Sequence, residues 1–141
     1  VTTAAETLHA SCVAVDGKGL LILGPSGSGK SSLALELIAF GARLVADDRV
    51  DLMRRGAALI ARCPAPLSGM IEARGLGLLR CEPLAEAEIA LVADLGAAET
   101  ARLPAKHDIV LLGCRLDLVR LPSNAHFPAA LLVYLRGGRV A

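Results

Sequence analysis

The segment Gly24-Pro25-Ser26-Gly27-Ser28-Gly29-Lys30-Ser31 constrains this chain more than any other stretch, because it fits G-x-x-x-x-G-K-[ST] in full. Each residue type has a physical reason to be there. Glycines let the backbone reach positive φ and approach a ligand closely. Successive backbone N–H groups then converge as an anion nest. The apolar run Leu20 to Leu23 before the loop suits a strand covered on both faces. After it, Leu33, Ala34, Leu37 and Ile38 recur at helical spacing over Lys30 to Phe40, and Gly41 suits the position just past the helix end. A loop that opens a helix adds unpaired N–H groups and the positive end of the helix dipole. Lys30 brings a full positive charge to β- and γ-phosphates, and Ser31 offers a hydroxyl to Mg²⁺. Lysine is a marked choice in a chain whose 15 cations include only Lys18, Lys30 and Lys106 beside the arginines. These residues point to a nucleoside triphosphate, with ATP and Mg²⁺ as the expected cofactors; the bland alternative is a glycine-rich turn with an incidental lysine.

Asp47 and Asp48 follow at the end of an expected strand, Arg43 to Asp47. In open α/β sheets ligands collect at the carboxyl ends of strands, so a parallel crossover would set this pair beside the loop. Adjacent strand residues face opposite ways. One carboxylate can then approach Mg²⁺ while the other addresses a different part of the site. The rival reading is turn chemistry, with Asp-Asp-Arg acting as a strand terminator. A guanine-reading N-K-x-D segment is missing, since the single asparagine, Asn124, is followed by Ala125-His126. GTPase switching is therefore disfavoured.

The rest of the chain reads as short strands and turns. Ala10 to Val15 suits a strand ahead of the turn Asp16 to Gly19. Val50 to Met53 and Ala58 to Ala61 flank Arg55-Gly56 as a hairpin, and Ile109 to Leu112 and Arg115 to Val119 flank Gly113-Cys114 as another. Cys63 to Gly69 suits a loop, Glu88 to Leu95 a strand, Glu99 to Lys106 an exposed segment, and Phe127 to Leu135 a helix stopped by Gly137-Gly138. The expected fold is α/β: a P-loop nucleotide-binding domain with a mixed sheet. At 141 residues the expectation is one domain, 1–141. A hydrophobic fraction of 54% excludes a disordered chain. A net charge of +1 argues against a nucleic-acid coat or a polybasic membrane patch. No apolar run nears the ~20 residues of a spanning helix, and the N-terminus lacks signal-peptide character. Cys12, Cys63, Cys81 and Cys114 form no C-x-x-C pair and read as small buried hydrophobes of a reducing cytoplasm.

His9, Gly24 to Ser31, Leu44-Val45-Ala46-Asp47-Asp48-Arg49-Val50 and Ile71-Glu72-Ala73-Arg74-Gly75-Leu76-Gly77 occur in the order of the HPr kinase/phosphorylase family, which the chain resembles over roughly positions 8 to 80. The resemblance implies a catalytic domain like phosphoenolpyruvate carboxykinase in fold. It implies ATP- and Mg²⁺-dependent phosphorylation of a serine on HPr, the phosphocarrier protein of the sugar phosphotransferase system, with phosphorolysis as the reverse reaction. It makes Lys30 the phosphate-loop lysine and Ser31 and Glu72 magnesium ligands, with Asp47 carried beside them as a metal candidate. It makes Asp48 the proton acceptor, His9 a functional histidine and Arg102 the candidate catalytic arginine. A homo-oligomer is the family expectation. Without the resemblance, His9 reads as structural or exposed, and Glu72 with Arg74 reads either as a pair alternating toward one site or as a surface ion pair. His107 and His126 read as surface residues.

Three departures stand out. The family's long members carry a separate N-terminal domain that has no counterpart here, so the chain resembles a short form. Ser32 stands where the family usually has Glu, and Leu116 to Phe127 does not match its phosphorolysis segment. Kinase activity is thus better supported than phosphorylase activity. The competing readings are a small-metabolite kinase of the shikimate or gluconate type and a nucleotide-sensing module without catalysis.

Overall fold

A computed structural model describes residues 5–141 of the chain. Nine strands form one mixed sheet in the order β1 (Ala5–Leu8), β5 (Val50–Arg55), β6 (Ala58–Arg62), β9 (Glu86–Glu99), β3 (Lys18–Leu23), β2 (Ser11–Val15), β4 (Arg43–Ala46), with β11 (Cys114–Pro122) on β9 and β10 (His107–Leu111) on β11. Helix α1 (Lys30–Ala39) follows β3, helix α2 (Phe127–Gly137) closes the chain, and β7 (Met70–Ala73) and β8 (Gly77–Arg80) make a separate hairpin.

β9 is the organiser. Its 14 residues are long enough to serve three partners. Its first residues pair antiparallel with β6, its middle pairs parallel with β3, and its end pairs parallel with β11. Because β6 and β11 take successive stretches of one edge, the sheet curls rather than lying open. The apolar run Leu20 to Leu23 of β3 explains the rest. Leu20 and Ile22 face the helical side with Leu33, Leu37, Leu44, Leu91 and Leu131, while Leu21 faces the curled side with Val45, Leu52, Leu59 and Val92. Period-2 alternation on a strand covered on both faces leaves no polar position, which is why the run is continuous. Each fully buried Leu or Ile contributes roughly 1.5–3 kcal/mol.

α1 buries Leu33, Ala34 and Leu37, as its spacing predicts. It ends in a Schellman cap: Gly41 at φ 105, its N–H on Ile38 O, and the Ala42 N–H on Leu37 O. That cap turns the chain straight into β4. β2 runs antiparallel to both β3 and β4, so β3 and β4 point the same way and end at the same edge.

The structure departs from the sequence expectations in four places. β1 and β8 were not foreseen, because short exposed strands carry no hydrophobic period. β9 runs beyond Glu88 to Leu95 at both ends, held by partners distant in sequence. Arg74 does not alternate with Glu72 along a strand: it lies in the turn after β7, closed by the Leu76 N–H on Ala73 O with Gly75 at φ 89. The four cysteines are free, but Cys63 and Cys81 are only partly buried. Among the described residues, no helix is long and apolar enough to cross a membrane.

Candidate functional site

The loop Gly24 to Gly29 leaves β3 and enters α1 with Gly24, Gly27 and Gly29 all at positive φ, the conformation that selects glycine there. A Cβ on Gly24 would run into the Ser28 hydroxyl and Leu95. Gly29 is the N-cap, no side chain caps the helix, and no acid occupies its first turn, so the first N–H groups face the loop mouth. Lys30 Nζ donates to Gly24 O at 2.7 Å and to Pro25 O at 3.1 Å, which stations the ammonium over that mouth. An ammonium has three donors, so one is left for an anion. Among the described residues, Ser28 Oγ is the buried side-chain polar atom without a partner.

Asp47 closes the other wall. It is 9% exposed and comes directly after β4. Its Oδ1 accepts from Ser31 Oγ at 2.7 Å and from the fully buried Ser11 Oγ at 2.8 Å. Two hydroxyls on one carboxylate oxygen tie the first turn of α1, the end of β4 and the start of β2 into one unit. The carboxylate's second oxygen takes no hydrogen bond among the described residues. Hydroxyl and carboxylate oxygens are hard donors, the kind Mg²⁺ takes when it keeps several waters and phosphate oxygens for its remaining positions. No group of three His, Cys, Asp or Glu side chains that could hold a metal ion occurs among the described residues. Asp47 also reaches beyond its partners: burial raises the Cys81 thiol and its negative charge adds to the effect, and Cys63 is raised by burial with Asp51 and Asp47 contributing. Both shifts favour the protonated thiol.

Asp48 is exposed at φ 69, at the centre of a three-residue turn closed by the Arg49 N–H on Asp47 O at 2.8 Å. Such a turn is rare and strained, though Asp tolerates positive φ better than most residues. It makes the two aspartates diverge: Asp47 turns inward to the loop and Asp48 outward to solvent. β1 pairs with β5 with Leu8 opposite Val50, so His9 and the Asp48-Arg49 pair leave that ladder from the same end. His9 is exposed there. Glu72 is exposed on β7, whose Ile71 and Ala73 face the core beside α1. Arg102 is exposed in the connection between β9 and β10 and makes no ion pair or side-chain hydrogen bond among the described residues. The structure thus gathers the loop, Lys30, Ser31, Asp47 and Asp48 at one sheet edge, sets His9 at that edge, and shows no contact of Glu72 or Arg102 with them.

Two residues escaped the sequence reading. Ser11 looked like one polar residue in an apolar strand; a fully buried serine needs a partner, and Asp47 is it. Asp94 stands opposite Leu23, at the level where β3 gives way to the loop, and its Oδ1 accepts the Gly96 N–H at 2.8 Å. A Cβ on Gly96 would press on Pro25 of the loop. An acid ending an apolar run was the available signal, the same one that marked Asp47.

Fold and loop together define a P-loop domain of mixed α/β architecture. The family model described as the HPr serine kinase C-terminal domain matches residues 2–94, well over half of the chain, and the chain belongs to that family. It is 39% identical over 139 residues to an HPr kinase/phosphorylase of Cupriavidus necator, covering 90% of this chain and 43% of that protein. Over 74 residues, 52% of this chain and 23% of the other, it is 53% identical to an HPr kinase/phosphorylase of Cupriavidus pinatubonensis. The chain therefore spans less than half the length of the curated relatives it matches. In structure it resembles the Hpr(Ser) kinase/phosphatase of Coxiella burnetii, with a TM-score of 0.78, 26% identity, and coverage of 93% of this chain and 94% of that one. The mixed α/β P-loop fold expected from the resemblance is the one found.

Proposed function

We propose that this chain is the catalytic domain, residues 1–141, of an ATP- and Mg²⁺-dependent serine kinase acting on an HPr-type phosphocarrier protein. The observation that carries the reading is the bond from Ser31 to Asp47, which seats an acid at the mouth of the phosphate loop with Asp48 next to it in sequence. Membership of the HPr serine kinase family and the names of the relatives supply the acceptor class.

In this reading the loop amides and Lys30 bind the β- and γ-phosphates and hold the γ-phosphorus in line with the acceptor. Ser31 and Asp47 would hold the metal, with Glu72 as a further ligand. Bound there, Mg²⁺ would neutralise charge on the phosphate oxygens. Asp48, turned outward, accepts the proton of the serine hydroxyl. The serine oxygen forms a bond to the γ-phosphorus while the bond to the β-bridging oxygen breaks, and ADP leaves with that electron pair. A protonated Asp48 returns the proton in the reverse direction, where inorganic phosphate accepts the phosphoryl group. His9, at the same end as Asp48, is proposed to assist there, and Arg102 to offset charge on the transferred group. An inert nucleotide sensor has no need of a strained, outward-facing aspartate beside the loop, which favours transfer. A cytoplasmic location and a homo-oligomer belong to the same proposal.

The test is direct: incubate the protein with Mg-ATP and an HPr-type carrier, and look for phosphoserine. Its appearance supports the reading. Its absence, with nucleotide bound, contradicts it.

A further inference from the structure

Arg102 stands on a crossing. The segment 100–106 leaves β9 at Glu99, in register with Pro122 of β11, and enters β10 at His107, in register with Leu118 on the other edge of the same strand. It therefore passes from one edge of β11 to the other, with Arg102 and Leu103 exposed at its bend. An exposed connection of this kind is ordinarily mobile. This one is pinned at its start, middle and end. Glu99 Oε2 accepts the N–H groups of Thr100 and Ala101, each at 3.1 Å. Glu99 Oε1 lies 3.3 Å from His107 Nε2, which ties the two ends of the crossing together. Between them, the Arg139 guanidinium donates to Pro104 O. We infer that Glu99 is a positioning residue: its carboxylate fixes the course of residues 100–106 and so the station of Arg102, through which it acts on phosphoryl transfer. The inference rests on the role proposed for Arg102 and adds the group that holds that arginine in place.

Glu99 is not an ordinary surface acid. Its pair with His107 is the least exposed ion pair among the described residues, with the side chains 13% and 26% accessible. Solvent screening, which makes exposed pairs weak, is reduced there. The Ala101 N–H above all, against the opposing effect of desolvation, and then His107 hold the carboxyl below its ordinary range. Glu99 therefore accepts as a carboxylate at neutral pH, the stronger kind of acceptor. Two successive main-chain amides on one oxygen fix the direction of the chain at its first step off the strand. The strand itself links this staple to the phosphate loop. A Cβ on Gly96 would press on Pro25 of the loop, and Glu99 follows three positions later, about 10 Å of extended chain. β9 thus carries both the surface against which the loop rests and the acid that anchors the Arg102 segment. Ordering that segment in advance spares the transfer step the entropy of ordering it then.

The experiment reads the segment and the reaction separately. Trypsin cuts after arginine, so the Arg102–Leu103 bond reports on the order of the crossing without reference to activity. Native-state cleavage at that bond is timed for wild type, Glu99→Ala and His107→Ala. Each variant should be cut there about threefold or more faster than wild type, with cleavage at other arginines and nucleotide affinity unchanged. Single-turnover transfer from Mg-ATP to an HPr-type carrier is then measured for wild type, Glu99→Ala, Arg102→Ala and the double variant. Each single variant should be slower by about threefold or more, and the double variant no slower than Arg102→Ala, because Glu99 acts through that arginine. His107→Ala, which opens one half of the staple, takes the place of Glu99→Ala in both measurements should the latter fail to fold. Equal cleavage at Arg102 in wild type and variants, or a double variant whose loss is the product of the two single losses, overturns the inference and leaves the kinase reading standing. Wild-type transfer by Arg102→Ala overturns the inference together with the role of Arg102. A wild type that binds nucleotide and transfers nothing overturns the kinase reading itself, and the inference falls with it.

Discussion

Ser31 and Asp47 are 16 positions apart in sequence, and the hydroxyl of one lies 2.7 Å from the carboxylate of the other. That bond joins the first turn of α1 to the end of β4. It fixes the loop against the sheet before any ligand arrives, which is the preorganisation that electrostatic catalysis needs.

Asp47→Ala should therefore do two kinds of damage. It strands the buried Ser11 hydroxyl, which costs about 1–3 kcal/mol. It also removes a hard oxygen from the proposed metal site. A urea melt should show the loss of stability, and titration with Mg²⁺ should show that nucleotide binding no longer tightens with the cation. A variant equal to wild type in both would break the link between Asp47 and the loop.

Lys30→Ala acts on the other side of the mouth. Its two hydrogen bonds go to loop carbonyls, one part-buried at Gly24 and one exposed at Pro25, so folding should change little. Nucleotide affinity should fall by about tenfold or more, the size of losing a charge-assisted contact. Calorimetry checks it, and unchanged affinity would count against the loop as the phosphate site.

The backbone at Asp48 gives a stability contrast. Asn tolerates φ near 69 as Asp does, so Asp48→Asn should melt with the wild type. A β-branched Asp48→Val should lose about 1–3 kcal/mol. Thermal melts of the two variants side by side measure the strain without reference to activity.

Acid stability should depend on Glu86. Arg55 and Arg62 hydrogen-bond its exposed carboxylate at 2.6 and 2.7 Å and hold its pKa at about 2, below the ordinary 4.5. A carboxyl depressed in the folded state adds stability above its unfolded pKa and loses it as pH falls through the folded one. The contribution should thus fade between pH about 4.5 and about 2. Glu86→Gln should flatten that part of the stability profile; an unchanged profile would mean that solvent screens the pair completely.

Much of this molecule was legible in the sequence because its elements announce themselves locally. The loop, α1 with its Gly41 cap, and the apolar β3 follow from composition and spacing within 20 residues. The placing of Asp47 beside the loop followed from one topological condition, that β4 runs parallel to β3, and it does, with β2 between them. What could not be read was long-range. β9 takes three partners through contacts that no local pattern encodes. Ser11 meets Asp47 across 36 positions. The turn at Arg74 broke an expected alternation because Gly75 permits positive φ, and glycine alone does not say where a strand stops. Glu72 and Arg102 were named by family resemblance, which matches residues but carries no distances.

Asp48 is proposed to take the proton of the acceptor serine. The measurement that reaches it most directly is single-turnover transfer from Mg-ATP to an HPr-type carrier, by wild type and by Asp48→Asn, at saturating nucleotide. Nucleotide affinity should be equal, and the rate of phosphoserine formation lower by about 10²–10⁴ in the variant. Transfer at the wild-type rate by a variant that binds nucleotide normally would contradict it.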